Sequence, residues 1–245
     1  QAFRIAEHPD VKLPFMACQD GFVTSHAVEN ISLIETEKVK EFVGSYEPEN
    51  FLLNADMPMA VGPYANSPFY METKMNQRIA MKNAKKVILE VAEEFEKISG
   101  RKYGLFEEYR MDDAEYVIVI MGSAAGTTKE AVDELREQGI KAGMIKVRVF
   151  RPFPGAELAA ALENAKGIAI MDRAESFSGC GGPLGSELTA ALYDAKNEST
   201  TVNYFYGLAG RDYTVETACG IYQDLIDYVS GKQEAEQFKY IGLRK

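Results

Sequence analysis

The sequence predicts an α/β protein whose helices cover both faces of a mostly parallel sheet. Three observations carry that reading. From Asp112 onward, short β-branched runs alternate with amphipathic helical stretches. In "YVIVIMGSAAGTTKEAV" (116–132), a strand passes into a helix through a turn of small residues. Over 245 residues, 46% hydrophobic and 26% charged residues are ordinary for a chain with a buried core.

The elements follow in order. Residues 11–45 read as a strand (Pro14–Cys18), a turn at Asp20-Gly21, a short helix, a strand (Ile31–Ile34) and a helix with Thr36 as N-cap and Gly44 as its end. Residues 46–70 hold four of the nine prolines and fit no period, so an extended connector is expected. Its apolar residues Phe51, Leu52, Leu53, Met57, Met59 and Val61 argue that it lies against a surface, its own or a partner's. A long helix spans about Met71 to Ser99, with Ala84, Val87, Ile88, Val91, Phe95 and Ile98 on one face and Gly100 stopping it.

Beyond Asp112, "EYVIVIM" is a strand, and "TTKEAVDELREQG" a helix with a Thr127/Glu130 capping box and Gly139 at its end. "AGMIKVRVF" is a strand and "PGAELAAALENA" a helix; "GIAIMDR" is a strand and "GPLGSELTAALYDA" a helix. "TVNYFYG" is a strand, and "TVETACGIYQDLIDYVSG" a helix burying Ala218, Tyr222, Leu225, Ile226 and Val229. Residues 232–245 form a charged tail.

A net charge of −10 argues against a nucleic-acid backbone as partner. No apolar run approaches bilayer length and no signal peptide is visible, so no membrane partner and a cytoplasmic setting are expected. Cys18, Cys180 and Cys219 are widely spaced with no CxxC pair, and His8 and His26 are the only histidines. No disulfide framework, zinc site or iron–sulfur site is therefore expected in this chain. The chain opens at Gln1 inside strand-like sequence, and an upstream part is expected.

The loop at Gly122–Gly126 invites a nucleotide reading, but its spacing is G-x-x-x-G and not G-x-G-x-x-G. The next strand ends in Arg148 and Phe150 with no acidic residue, and Gly126 precedes Thr127-Thr128 where a Walker loop has Gly-Lys-Ser/Thr. Two readings remain: a phosphate on the Thr127–Thr128 amides, or glycines that let helix and strand pack closely. The second is preferred. "SFSGCGGPLG" (176–185), before a helix start, is a second candidate anion loop.

"DGFVTSH" (20–26), "MGSAAGTTKEAVDELREQGIKAGMIKVRVFRPFP" (121–154), "MDRAESFSGCGGPLGSEL" (171–188) and "YGLAGRDYT" (206–214) together resemble the α subunits of the 2-oxoacid:ferredoxin oxidoreductases, the pyruvate enzymes most closely. The resemblance covers nearly the whole chain. It implies oxidative decarboxylation of pyruvate with coenzyme A, with 2-oxoisovalerate or 2-oxoglutarate as alternative substrates and a non-catalytic nucleotide-binding module as an alternative role. It implies a full complex of β, γ and δ-type subunits that uses thiamine diphosphate, Mg2+, [4Fe-4S] clusters and CoA, with ferredoxin as acceptor.

In fold terms the resemblance implies the end of a pyrimidine-side domain (1–45), the connector and long helix (46–111), a domain like the transketolase C-terminal domain (112–230) and a tail (231–245). The second domain would be a three-layer α/β/α sandwich, mostly parallel with one antiparallel strand. The family's pyrimidine-activating glutamate matches no position here. Its diphosphate and magnesium site and its cluster cysteines belong elsewhere in the complex. The resemblance thus implies no catalytic residue, no metal ligand and no cofactor held by this chain alone.

The remaining candidates are weaker. Asp20, Gly21, Thr24, Ser25 and His26 follow a strand end. They read either as part of a subunit interface near substrate or CoA, or as a strand-to-helix turn angled by Gly21 and capped by Thr24 or Ser25. Arg148, Arg151, Arg173 and Arg211 lie at or beyond strand ends. They read as partners of CoA phosphates or as internal ion pairs, the second preferred. Cys180 lacks an activating cation beside it in the sequence and reads as inert.

Overall fold

The structure, a computed structural model, describes residues 1–177 and 179–244. Its elements in chain order are α1 (Ala2–Ala6), α2 (Val23–His26), α3 (Thr36–Val43), α4 (Tyr70–Ser99), β1 (Phe106–Tyr109), β2 (Tyr116–Ile120), α5 (Ala124–Glu137), β3 (Ala142–Val147), α6 (Gly155–Ala161), β4 (Gly167–Asp172), α7 (Pro183–Asp194), β5 (Thr200–Phe205), a 3-10 turn at Leu208–Gly210, α8 (Val215–Val229) and β6 (Phe238–Tyr240). Two compact units result. The first is Gln1–Cys18 with Val28–Gly104, and the second is Gln19–Ala27 with Leu105–Lys245.

The first unit is helical. Ala84, Val87, Ile88, Val91 and Ala92 of α4 are buried, as are Ile5 and Val11. The face read from the three- and four-residue spacing is the packed one. Arg4 pairs with Glu94 and lies 4.9 Å from the Phe42 ring centroid, while Phe42 meets Phe95 edge-on at 5.6 Å. Gly100 ends α4 in the left-handed conformation, φ +67°, which costs a glycine no Cβ clash. The strands expected at Pro14–Cys18 and Ile31–Ile34 are absent, and both stretches are irregular. Among the described residues neither pairs with a strand that would take its backbone hydrogen bonds. Thr36 opens α3 without capping it; the N-cap position falls on Glu35.

The second unit is a six-stranded sheet in the order β1-β3-β2-β4-β5-β6, with β1 antiparallel to β3 and every other pairing parallel. Val117–Ile120 and Gly167–Asp172 are buried throughout, as strands covered on both faces must be. Ile118, Ile120, Met144 and Tyr204 pack with Val132 and Leu135 of α5 and Tyr222 and Leu225 of α8. Val117, Val119, Ile145 and Ile168 pack with Leu158 of α6 and Leu184, Leu188 and Leu192 of α7. These two clusters make the expected three layers.

Several boundaries differ from the sequence reading. α5 starts at Ala124, so Thr127 and Glu130 lie inside the helix and form no capping box. In α8, Ile221 and Tyr228 take core positions, while Ile226 and Val229 are half-buried. The sheet also extends past 112–230. β1 adds the antiparallel edge, and β6 lays the charged tail beside β5, with Phe238 and Tyr240 against Phe205. Lys239 fixes that edge through Asp224 (2.7 Å) and the Tyr228 hydroxyl (3.3 Å).

Candidate functional site

Strand β2 has β3 on one side and β4 on the other, so the chain reverses its winding direction there. In open α/β sheets, the carboxyl ends of strands at such a point form the crevice that collects ligands. Here those ends are Gly122-Ser123, just after β2, and Asp172-Arg173, where β4 ends.

The chain's own Asp20 sits at that point. Its carboxylate accepts a hydrogen bond from the Ser123 backbone N–H and lies 3.4 Å from Arg173 Nη1. Burial pushes the Asp20 carboxyl up, but the bonds from Ser123 and the charges of Arg173 and Lys146 outweigh it and hold it below the usual carboxylate value. Gly122 has φ +76°, and a Cβ there would stand 2.8 Å from the Asp20 oxygens. Gly207, φ +64°, gives the same room to Arg173, whose guanidinium stands 5.9 Å from the Tyr206 ring centroid. The anion position at the start of α5 is thus filled from within. Thr128 is fully buried, donating to the Ala124 carbonyl (3.0 Å) and bonded to the Tyr213 hydroxyl (3.0 Å). A phosphate on the Thr127–Thr128 amides does not fit a helix already under way at Ala124. The preferred packing role of Gly126 is also corrected, because a Cβ there would meet open space.

The second glycine loop repeats the pattern. Asp172 is buried and accepts hydrogen bonds from the Leu184 (2.9 Å) and Gly185 (2.8 Å) N–H groups at the start of α7. Asn203 donates to Asp172 (3.0 Å) and to the Ile170 carbonyl (2.9 Å), and its own side-chain oxygen accepts from the Gly182 N–H (2.7 Å). A Cβ on Gly182 would overlap Asp172, and one on Gly185 would overlap Asn203. The candidate anion loop at 176–185 therefore also closes on a protein carboxylate; Ser178 lies outside the described residues.

The other candidates are dispersed. Arg151 pairs with Glu187 at 2.5 Å and stacks 4.4 Å from the Phe150 centroid. Arg211 donates to the Gly242 carbonyl, and Arg148 is exposed just past β3. Gly21 has open space around it, and the left-handed φ falls instead on Phe22, +66°. Ser25 Oγ accepts from the Phe22 N–H (2.9 Å) and is bonded to His26 Nδ1 (2.8 Å), while Phe22 stacks on His26 at 5.1 Å. Thr24 and Cys180 are exposed. Among the described residues, no group of three or more His, Cys, Asp and Glu side chains has metal-holding geometry, and no helix is long and apolar enough to cross a membrane.

Asp172, Asn203 and Ser123 escaped the sequence reading. Their signals were a carboxylate ending an apolar strand just before a glycine-rich helix start, and one amide inside the apolar run "TVNYFY". Ser123 could be flagged only once Asp20, 103 residues away, was placed beside it.

The fold is a doubly covered α/β sheet whose switch-point crevice is filled by its own carboxylate. Two family models match the chain: "Pyruvate flavodoxin/ferredoxin oxidoreductase, thiamine diP-bdg" over residues 1–93 and "Pyruvate:ferredoxin oxidoreductase core domain II" over residues 114–218. Among curated proteins, pyruvate synthase subunit PorA of Thermotoga maritima is 43% identical over all of this chain and 61% of its own length. The same subunit of Methanocaldococcus jannaschii is 40% identical, again over all of this chain and 61% of its own. Ketoisovalerate oxidoreductase subunit VorA of Pyrococcus abyssi is 41% identical over 96% of this chain and 59% of its own. This chain belongs to the pyruvate:ferredoxin oxidoreductase family. It spans about three-fifths of the length of these relatives.

Proposed function

We propose that this chain is part of the α subunit of a pyruvate:ferredoxin oxidoreductase, an enzyme that converts pyruvate, CoA and oxidised ferredoxin to acetyl-CoA, CO2 and reduced ferredoxin. The observation that carries the substrate is the full-chain likeness to pyruvate synthase subunits at 43% identity. The chain's own contribution is scaffold and subunit interface. Both glycine loops that a phosphate would use hold carboxylates, Asp20 and Asp172, so neither fits the diphosphate of thiamine diphosphate. The same occupancy weighs against a stand-alone nucleotide-binding module. In this reading thiamine diphosphate, Mg2+, [4Fe-4S] clusters and CoA are held by the assembled complex, whose β, γ and δ-type subunits are the partners, with ferredoxin engaging the complex in the cytoplasm.

A second reading, a 2-oxoisovalerate enzyme, rests on the 41% identity to the ketoisovalerate subunit. Steady-state reduction of ferredoxin by the reconstituted complex separates the two. The pyruvate reading expects the highest kcat/KM with pyruvate. A higher value with 2-oxoisovalerate or 2-oxoglutarate overturns it.

A further inference from the structure

Residues 19–27 lie far upstream in sequence yet belong to the second unit. Within them Asp20 is the one residue shielded from solvent, and 19 and 21–27 are all exposed. The Asp20 side chain retains 18% of its accessible surface. It is held by the Ser123 N–H and by Arg173, in a socket that two left-handed glycines, Gly122 and Gly207, keep open. On the solvent side the segment is preorganised. The Phe22 ring stacks on His26, Ser25 Oγ bonds both the Phe22 N–H and His26, and Phe22 adopts a backbone conformation that L-residues rarely hold unless their surroundings enforce it.

We propose that Asp20 is a one-point clasp: a single carboxylate holds the 19–27 turn on the second unit and keeps its Phe22–Ser25–His26 face in one conformation, and losing that contact frees the turn while the sheet stays folded. The device does not depend on which oxoacid the complex uses. The weight falls on one side chain because a carboxylate bonded to a backbone N–H at a helix start and paired with a guanidinium is worth more than a neutral contact. The segment's other side chains bury too little surface to replace it.

Hydrogen–deuterium exchange on the whole chain tests the clasp. Wild type should protect the Phe22, Val23, His26 and Ser123 amides, which are hydrogen-bonded or next to the anchor. Asp20→Ala should speed exchange at 21–26 by about ten- to a hundredfold, the range expected for a lost charge-assisted bond, while β2 and β4 stay protected. Asp20→Asn keeps an acceptor and loses the ion pair, so a smaller rise is expected. Arg173→Met should resemble Asp20→Asn. Three results overturn the proposal: free exchange of 21–26 in wild type, no change at 21–26 in Asp20→Ala, or simultaneous loss of protection in β2 and β4. Failure of both Asp20 variants to fold counts as the third, because it makes Asp20 a core residue and not a clasp.

Discussion

Asn203 donates a 3.0 Å hydrogen bond to Asp172 across neighbouring strands, and both side chains are buried. Together they satisfy three N–H groups at the start of α7, those of Gly182, Leu184 and Gly185. Asp172→Ala removes the acceptor of the Leu184 and Gly185 N–H groups and of one Asn203 side-chain hydrogen bond in a buried site. It is expected to cost about 2–4 kcal/mol, with Asp172→Asn costing less. Denaturant unfolding reads both, and a loss under 1 kcal/mol in Asp172→Ala contradicts the arrangement.

The glycines divide by what a methyl group would meet. Gly182→Ala and Gly185→Ala drive a Cβ into Asp172 and Asn203 and should each lose about 1–3 kcal/mol through overpacking. Gly126→Ala, on α5 with open space and an ordinary φ, should gain up to about 1 kcal/mol from reduced freedom of the unfolded chain. Melting temperatures of the three variants should move in opposite directions; Gly126→Ala moving with the others refutes the assignment.

Burial pushes the Tyr213 phenol up to about 12, and Tyr204, Tyr206 and Tyr222 are raised for the same reason. A folded-state pKa above the unfolded one gives stability that is fully present below pH 10.0 and lost as pH rises toward the folded value. Stability should therefore fall between pH 10 and about 12, and less steeply in Tyr213→Phe. Equal slopes in the two proteins would assign the alkaline loss to other groups.

In the first unit Leu53 and Tyr64 of the connector are 92% and 90% exposed, and Met71 on the first turn of α4 is 81% exposed. If the connector serves subunit contact, Leu53→Glu with Tyr64→Glu should leave the isolated chain's stability within about 0.5 kcal/mol. The same pair should weaken co-purification with partner subunits. Normal assembly of the double variant removes the connector from the interface.

Long or strongly periodic elements were legible in the sequence. The four-residue steps of α4 and the β-branched runs of β2 and β4 name their own structure, because each element's pattern reports its own burial. The edge strands were not. β1 is "FEEY", two exposed glutamates between half-buried aromatics, and β6 is three residues in a charged tail. What makes them strands is a neighbour's unpaired backbone, which local pattern does not encode. Pro14–Cys18 failed in the converse way, carrying strand-like residues without a partner. The arginine candidates were visible as charges, but their pairing with Glu187, Asp20 and the Gly242 carbonyl required the fold. The Asp20 turn was visible as a cluster of functional side chains. That its carboxylate would fill a glycine loop depends on positions far apart in the chain.

The 153-residue separation between Asp20 and Arg173 also orders events during synthesis. A ribosome adding about 5–20 residues per second makes Arg173 some 8–30 s after Asp20. Through that interval the socket is incomplete: Ser123 follows Asp20 by 103 residues, and β4, which leads into Arg173, is made only at its end. Closure of the turn onto Ser123 and Arg173 therefore comes late in vectorial folding, and a nascent chain stalled before β4 would carry the turn open.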